Sequence, residues 1–457
     1  MTRRFIILSI GLLFLVDPIA ALRGQTPTFP DSLESETLRL STDRFSSTHN
    51  AALGLDYTLF GSGIQGLVRA HLSSSSTLRG VPLTRETVDL LVDMRYDLNS
   101  SINPFILFEG TTTGEVGEIG LIPGIDNTAA TFLGVGARAE DAVGNGLGLA
   151  IGGAYNRQLN TEDAGAAIYA DGIGSFDLDG TRIAGDGTLR WYNTNPRLNG
   201  SIDLFASLER SFEEGVFVAA RASYNAFAND LYVKRREEDI RLFGGPTFDA
   251  LLQRREQRFD VGGQLFYPVS TSVSLLGELN VAGESTLRSE TDEGLPPLPR
   301  SVDPFSFDRR QSDVGGSMMA ILARSHIDAN IRLSLRSGSQ SNVVDPTDDV
   351  PDVELRRRRA TSARNDYATE TRSIDGYVQW RAGRSDTFAF SGALGLYRYD
   401  TPDTANNFDK DEQTFASELQ WGHRFSRRTS ISVETQIFLA HLVYLFGESS
   451  GDNNWNR

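Results

Sequence analysis

The sequence predicts an all-β protein, an antiparallel up-and-down β-barrel of at least sixteen strands that crosses a membrane. Three observations predict it. Apolar and polar residues alternate with period two over segments of strand length. The connections between those segments are alternately short and long along the chain. Beyond the first residues, no apolar run approaches the ~18 residues that a membrane-crossing helix needs. Composition sets the outer bounds. The 457 residues carry 44 Lys+Arg against 60 Asp+Glu, a net charge of −16, with 39% hydrophobic residues. That is ample for a large folded domain and argues against disorder. The absence of cysteine removes thiolate nucleophiles, Cys-ligated metal sites, iron–sulfur clusters and disulfides. A pI near 4.9 argues against nucleic acid as a partner, because phosphate neutralisation needs a basic surface.

The clearest strand is Val88, Leu90, Val92, Met94, Tyr96 and Leu98, which alternate with Asp89, Leu91, Asp93, Arg95 and Asp97. One face is almost purely apolar and the other is charged. Ile327, Ala329, Ile331, Leu333 and Leu335 repeat the pattern against Asp328, Asn330, Arg332, Ser334 and Arg336. Weaker copies start near Leu53, Leu147, Ile202, Val216, Val273 and Ile431. Each has about the 9–11 residues that cross a bilayer when tilted. Short turns are expected near Gly61–Gly63, Asn99–Ser101, Glu140–Asn145, Ser211–Gly215, Ser270–Thr271, Ser325, Gly383–Ser385 and Ser426–Arg428. Long connections are expected over Ser74–Arg85, Thr112–Asn127, Gln158–Asp186, Ala228–Glu256, Glu284–Gln311, Gly338–Thr369 and Tyr399–Asp411. Closure of such a sheet satisfies every backbone group that lipid cannot.

Residues 1–21 read as a secretory signal peptide: Arg3 and Arg4 precede an apolar stretch from Phe5 to Val16, and Ala20-Ala21 supply the small residues of a cleavage site. Residues 22–48 form an N-terminal lead in which Ser35–Ser41 is a candidate first strand, and 49–457 form the barrel. With this leader and this hairpin rhythm, the chain resembles Gram-negative outer-membrane β-barrel proteins in general, without a specific subfamily. The resemblance implies short periplasmic turns, long external loops and location in the outer membrane. Its implied partners are outer-membrane lipid and lipopolysaccharide, with periplasmic chaperones and the barrel-assembly machinery on the way there. Barrels of this kind usually end on an aromatic-terminated closing strand. Here Asn453-Asn454-Trp455-Asn456-Arg457 looks like the start of a further strand, so the barrel is expected to be C-terminally incomplete.

Parity assigns the faces, with apolar rows toward lipid and polar rows toward the lumen. The lumen candidates are Asp89, Asp93, Arg95, Asp97, Arg221, Arg258, Asp260, Glu278, Asp328, Arg332, Arg336, Asp375, Arg381 and Glu434, accompanied by Gln264, Asn280, Asn330, Gln379, Glu418, Gln420 and Gln436. Both signs are present. They read either as opposed rows that orient a solute in a channel or as Arg–carboxylate pairs that hold the wall. Acid gathers in the long loops, at Asp345, Asp348, Asp349 and Asp352 and at Asp400, Asp403, Asp409, Asp411 and Glu412. Neither run has the ligand spacing of a calcium loop, and both read first as solvated surface. Arg356–Arg359 lie beside a strand and read as neutralising these acids, or as a grip for lipopolysaccharide phosphates.

Catalytic signals are thin. His71-Leu72-Ser73 has the His-x-Ser form of outer-membrane phospholipases, but Val68, Ala70 and Leu72 form the lipid-facing row. His71 and Ser73 would then face the lumen, away from acyl chains. No triad is completed, the remaining histidines lack metal-ligand spacing, and no cofactor motif is present, so the chain reads as a non-enzyme. Glu36-Thr37-Leu38-Arg39-Leu40 resembles faintly the N-terminal box of energised receptors. Strands begin by about His49, too early for the plug domain those receptors carry, so a plugless barrel is expected. The functional expectation is a porin-like channel for small polar solutes. The alternative is a non-conducting binding, receptor or scaffolding barrel.

Overall fold

The computed structural model describes residues 36–45, 48–61, 63–77, 83–96, 101–117, 128–141, 143–158, 161–234, 248–291, 306–345, 352–401, 409–426, 429–444 and 454–456. Its strands are β1 (Glu36–Phe45), β2 (Thr48–Gly61), β3 (Ile64–Thr77), β4 (Leu83–Tyr96), β5 (Ile102–Gly117), β6 (Thr128–Glu140), β7 (Gly146–Gln158), β8 (Thr161–Leu178), β9 (Thr181–Thr194) and β10 (Arg197–Ser211). They continue as β11 (Phe217–Lys234), β12 (Phe248–Pro268), β13 (Val273–Thr291), β14 (Ser306–Ala323), β15 (Ile327–Asp345), β16 (Tyr367–Ala382), β17 (Asp386–Asp400), β18 (Lys410–Arg424), β19 (Ser430–Tyr444) and β20 (Asn454–Asn456). One helix, α1 (Asp352–Ala363), interrupts them. All twenty strands belong to one sheet, and each pairs antiparallel with its neighbour in sequence. No pairing joins β1 to β20 among the described residues. No described helix is long and apolar enough to cross a membrane.

The two faces are inverted relative to a water-soluble protein. On β15 the outward row Ile331, Leu333 and Leu335 is 50%, 54% and 62% exposed. Leu133, Val135, Leu149, Ile151, Leu279, Phe390, Leu394, Leu419 and Val433 extend that exposed apolar surface around the sheet. A soluble monomer would not leave so large a continuous patch in water. From Ile327 to Leu335 the strand advances about 27 Å, which at a tilt of 35–45° gives roughly 20 Å of height, close to the ~25 Å apolar band of a membrane barrel. At the short-turn edge of this band Trp380 stacks on Phe388 at 5.6 Å, and the Trp421 indole donates to Asp386 at 3.2 Å. Aromatic rings with a polar edge suit that boundary between hydrocarbon and water.

Above Leu335 the same outward row becomes Ser337, Ser339 and Ser341, while the strand runs on to Asp345. This explains one correction to the sequence reading. Apart from β1 and β20, strands run from 13 to 21 residues rather than 9–11. The sheet continues beyond the apolar band, where both faces are polar and alternation of hydrophobicity fades. Several expected loops shrink accordingly, so that Asp411 and Glu412 lie inside β18 and Asp400 closes β17.

A second correction concerns Gln158–Asp186, expected as a long connection. It forms β8 and the start of β9, which are joined to each other through Asp179-Gly180. Both turn residues have positive φ, 47° and 76°, the geometry of a two-residue type I′ hairpin. Arg356–Arg359 do lie beside a strand, β15, but they do so on the helix α1, which the sequence reading did not anticipate.

The inner, concave face is defined by β5–β9, which curl until strands that are not neighbours approach one another. Phe105, Leu107, Phe132, Ala150, Ala154 and Ala167 form a buried cluster there, with Leu91, Tyr169 and Tyr192 packed against it. Gly152 permits the curl, since a Cβ at this position would lie 2.0 Å from the Leu133 carbonyl oxygen. Residues 1–35, including the expected signal peptide, lie outside the described residues. The Glu36–Leu40 segment is part of β1, in register with Leu53–Tyr57 of β2.

Candidate functional site

Strand register carries the inner face from the buried β5–β9 cluster to every other strand. It places Asp89, Asp93 and Arg95 of β4 on that face, opposite Thr111, Leu107 and Phe105. The same register places Arg221, Arg258, Asp260, Glu278, Asp328, Arg332, Arg336, Asp375, Arg381 and Glu434 there. Asp97 lies outside the described residues. The inner wall divides into two unlike halves.

In the β4–β9 half the charges beside the apolar cluster are consumed in pairs. Arg95 donates to Asp93 at 2.7 Å, and Arg138 pairs with Asp171 at 2.5 Å and with Glu140 at 3.0 Å. Arg190 grips Glu109 through Nε and Nη2, both at 2.9 Å, while the Tyr192 hydroxyl donates to the same carboxylate at 3.0 Å. These fork-shaped, charge-assisted bonds fix side chains beside the apolar cluster. Toward the long-loop end, Arg197 meets Asp163 at 2.6 Å and lies over the Tyr232 ring at 4.8 Å. Gln158 bonds both backbone groups of Tyr232, accepting from its N–H at 2.9 Å and donating to its carbonyl at 3.0 Å. The extension of β11 thus seals this half over the short β7–β8 and β9–β10 connections. Asp89 is more accessible, accepting from Thr111 at 2.8 Å, with His71 Nδ1 at 3.9 Å. Ser73 makes no hydrogen bond to His71 among the described residues.

The β10–β18 half is polar and accessible. Asp260 accepts from Asn280 at 3.2 Å, and Glu278 accepts from Ser317 at 3.1 Å and from Gln264 at 3.4 Å. Arg336 pairs with Asp313 at 2.8 Å, Arg309 with Glu284 at 2.9 Å, and Arg381 with Asp328. On the adjoining β19, Gln436 donates to Glu434 at 2.5 Å. Arg332 stands opposite Asp375 in register, with its Nη2 3.7 Å from Met319 Sδ. Arg221 and Arg258 are exposed and form no ion pair among the described residues. Arg221 borders a recess of about 670 Å³ that also meets Glu209, Gln264, Glu278 and Asn280. Ala219, Gly262 and Gly315, which share the inner face with them, keep its floor low.

A further piece of wall comes from the β15–β16 connection. The inner-face residue Gln340 donates to Asn365 O at 3.0 Å, and Asn342 donates through its backbone and side chain to Asp366 at 2.6 and 2.8 Å. Arg359 of α1 donates to Val344 O at 3.2 Å. The connection that carries the four arginines is thereby held against the long-loop end of β15.

Sequence reasoning passed over Glu109, Arg138, Asp171, Arg190 and Glu209. Glu209 was within reach, because it continues the odd-numbered row beside Leu204, Ala206 and Leu208. Glu109 was not, since β5 is apolar on both faces around it.

No family model matches the chain, and no curated protein matches it. Solved structures do resemble it. The pyoverdine outer membrane receptor FpvA from Pseudomonas aeruginosa PAO1 is 10% identical, with 92% of this chain and 72% of that one aligned at a TM-score of 0.29. The copper transporter OprC is 8% identical over 92% and 74% of the two chains at 0.33. The siderophore receptor PiuA from Acinetobacter baumannii is 8% identical over 92% and 76% at 0.30. Likeness at this level carries no argument for a shared ligand. The inverted faces, aromatic edge and sequential antiparallel sheet define the class of protein: a β-barrel wall of the membrane-spanning type.

Proposed function

We propose that this chain is an integral β-barrel of the outer membrane of a Gram-negative bacterium, passing small polar solutes along the inner wall of β10–β18. The leader-like N-terminus and the apolar band support the location, and lipid would contact that band directly. Periplasmic chaperones and the barrel-assembly machinery would deliver and insert it, with lipopolysaccharide around its long-loop end. The observation that carries conduction is the accessible polar wall containing Arg221 and Arg258, which have no ion pair among the described residues, in contrast to the packed β4–β9 half. A wall whose charges all cancelled would only hold the barrel together, whereas unpaired groups act on what moves past them. The test is planar-bilayer recording of the purified full-length protein, with stepwise conductance as the expected result.

A non-conducting binding or receptor barrel is the second reading. It is favoured by one specific observation, the attachment of the α1 connection to inner-face residues Gln340 and Asn342. Absence of conductance in a folded sample would select it. Neither reading involves a catalytic step.

A further inference from the structure

The recess beside Arg221 holds charges of both signs with unequal freedom. Glu278 is engaged by Ser317 and Gln264, and Asp260 by Asn280. Arg221 and Glu209 have no hydrogen-bond or ion-pair partner among the described residues, although both border the recess. They sit on adjacent strands: Arg221 is opposite Ser207 in register, and Glu209 is opposite Ala219. Diagonal neighbours of this kind are about 7–8 Å apart, a separation that long side chains can span. Here they do not close on one another. Arg182 faces Glu209 from β9, and it too forms no ion pair with it.

A free guanidinium and a free carboxylate on one polar recess form a complementary dipole. A simple anion would meet Arg221 but be repelled by Glu209 and Glu278, and a simple cation would meet the reverse. A solute carrying both an ammonium and a carboxylate can meet Arg221 and Glu209 at once, which neither simple ion can do. The side-chain oxygen of Gln264, whose Nε2 is given to Glu278, adds neutral accepting capacity beside the two charges. Resting on the proposed role of this wall in handling small polar solutes, we propose that the recess is a subsite for dipolar solutes of the α-amino acid class. In it Arg221 takes the carboxylate and Glu209 the ammonium group.

The experiment is saturation-transfer NMR on the full-length protein in detergent micelles, with glutamine as the probe. Its two matched derivatives lack one charge each: N-acetylglutamine keeps only the carboxylate and glutamine amide keeps only the ammonium. Glutamine should bind at least fivefold more tightly than either derivative. Glu209→Gln and Arg221→Gln should each weaken glutamine at least fivefold and abolish its advantage over the derivative lacking the matching charge. Arg210→Gln, on the opposite face of β10, should change nothing. Equal binding of the three probes, absence of glutamine binding, or indifference to both substitutions would overturn the proposal. Because the measurement needs no current, a barrel that binds glutamine but does not conduct would refute the channel and keep the subsite. A conducting barrel without glutamine preference would do the opposite.

Discussion

Arg190 of β9 holds Glu109 of β5 in a two-pronged grip at 2.9 Å, although three strands separate them in the sheet. A side-chain bond can reach so far only because β5–β9 curl around the Phe132 and Ala154 cluster. The pair is therefore a record of curvature. Breaking it by Glu109→Gln leaves a partly buried guanidinium with half its bonds and should cost about 1–3 kcal/mol, below the value for a fully buried pair because both groups retain some exposure. Urea unfolding of the lipid-reconstituted protein measures this. Adding Arg190→Met in the same chain should recover much of the loss, and a double variant as unstable as the sum of the two singles would show that the groups act independently.

The facing of the strands is tested one position apart. Arg in place of Ile331 or Leu133 puts a charge into the exposed apolar band and should destabilise by about 2–4 kcal/mol near its middle. Arg in place of Asn330, on the polar face of the same strand, should cost much less. Similar costs at positions 330 and 331 would mean that no hydrocarbon lies against the outer face.

How legible this was in the sequence depended on what each face meets. On β4 and β15 one face meets lipid and the other meets polar groups, so period two is plain and Asp89, Arg332 and Arg336 can be placed without a structure. On β8 and β9 small residues such as Gly165, Ala166, Ala167, Ala170, Gly185 and Gly187 occupy both faces. The contrast then vanishes, and with it two strands, although Asp179-Gly180 was a readable hairpin signal. The inner cluster hid Glu109 for a related reason: Phe105 and Leu107 make the lumen side of β5 as apolar as the lipid side. The helix α1 was hidden because four consecutive arginines have no apolar stripe to reveal it, and its position is set by bonds to β15.

Ion selectivity should follow the unpaired charges. The aspartate row on β4 is a poor candidate, since Asp93 is spent on Arg95 and Asp89 is hydrogen-bonded by Thr111. Arg258 is exposed and without an ion pair among the described residues. Arg258→Gln should therefore shift the channel toward cations in about 0.01–0.1 M salt, where the Debye length is roughly 10–30 Å, and much less at 1 M, where it is about 3 Å. Reversal potentials across a salt gradient report the shift. No change at low salt would place Arg258 off the ion path.

The β6–β7 turn gives a pH prediction outside the membrane band. Asp141 accepts from the Asn145 side chain at 2.8 Å and from the backbone of Asn145 and Val143, both at 2.9 Å, which holds its carboxyl below the usual carboxylate range. A lowered folded-state pKa contributes stability that is present above the unfolded value and is lost as pH falls through the folded one. Hydrogen exchange at the Val143 and Asn145 amides should stay slowed down to about pH 4 and lose protection only in stronger acid. In Asp141→Ala the protection should be missing at every pH. Protection of these amides that does not change in strong acid, measured relative to intrinsic exchange, would contradict the assignment.

The α1 connection is held at the long-loop end by bonds to β15 that substitution can remove, which makes its release measurable. Two of them come from side chains on the inner face of β15, Gln340 to Asn365 O and Asn342 to Asp366. Replacing both residues by Ala removes those bonds while leaving the Asn342 backbone bond and the Arg359 to Val344 O contact in place. At about 0.5–1.5 kcal/mol per bond, with the higher end for the bond to a charged carboxylate, local opening should become on the order of ten- to hundredfold more frequent. Ser362, buried at 7% exposure on α1, is the natural reporter, and the cysteine-free sequence allows Ser362→Cys to be the sole thiol. A water-soluble maleimide should label that thiol slowly in the otherwise unsubstituted chain and at least tenfold faster in the Gln340→Ala, Asn342→Ala background. If conductance is present, it should rise in the same background, because the freed connection no longer lies against the wall that solutes follow. Unchanged labelling would mean that α1 is anchored by its remaining contacts and that Gln340 and Asn342 do not control its position.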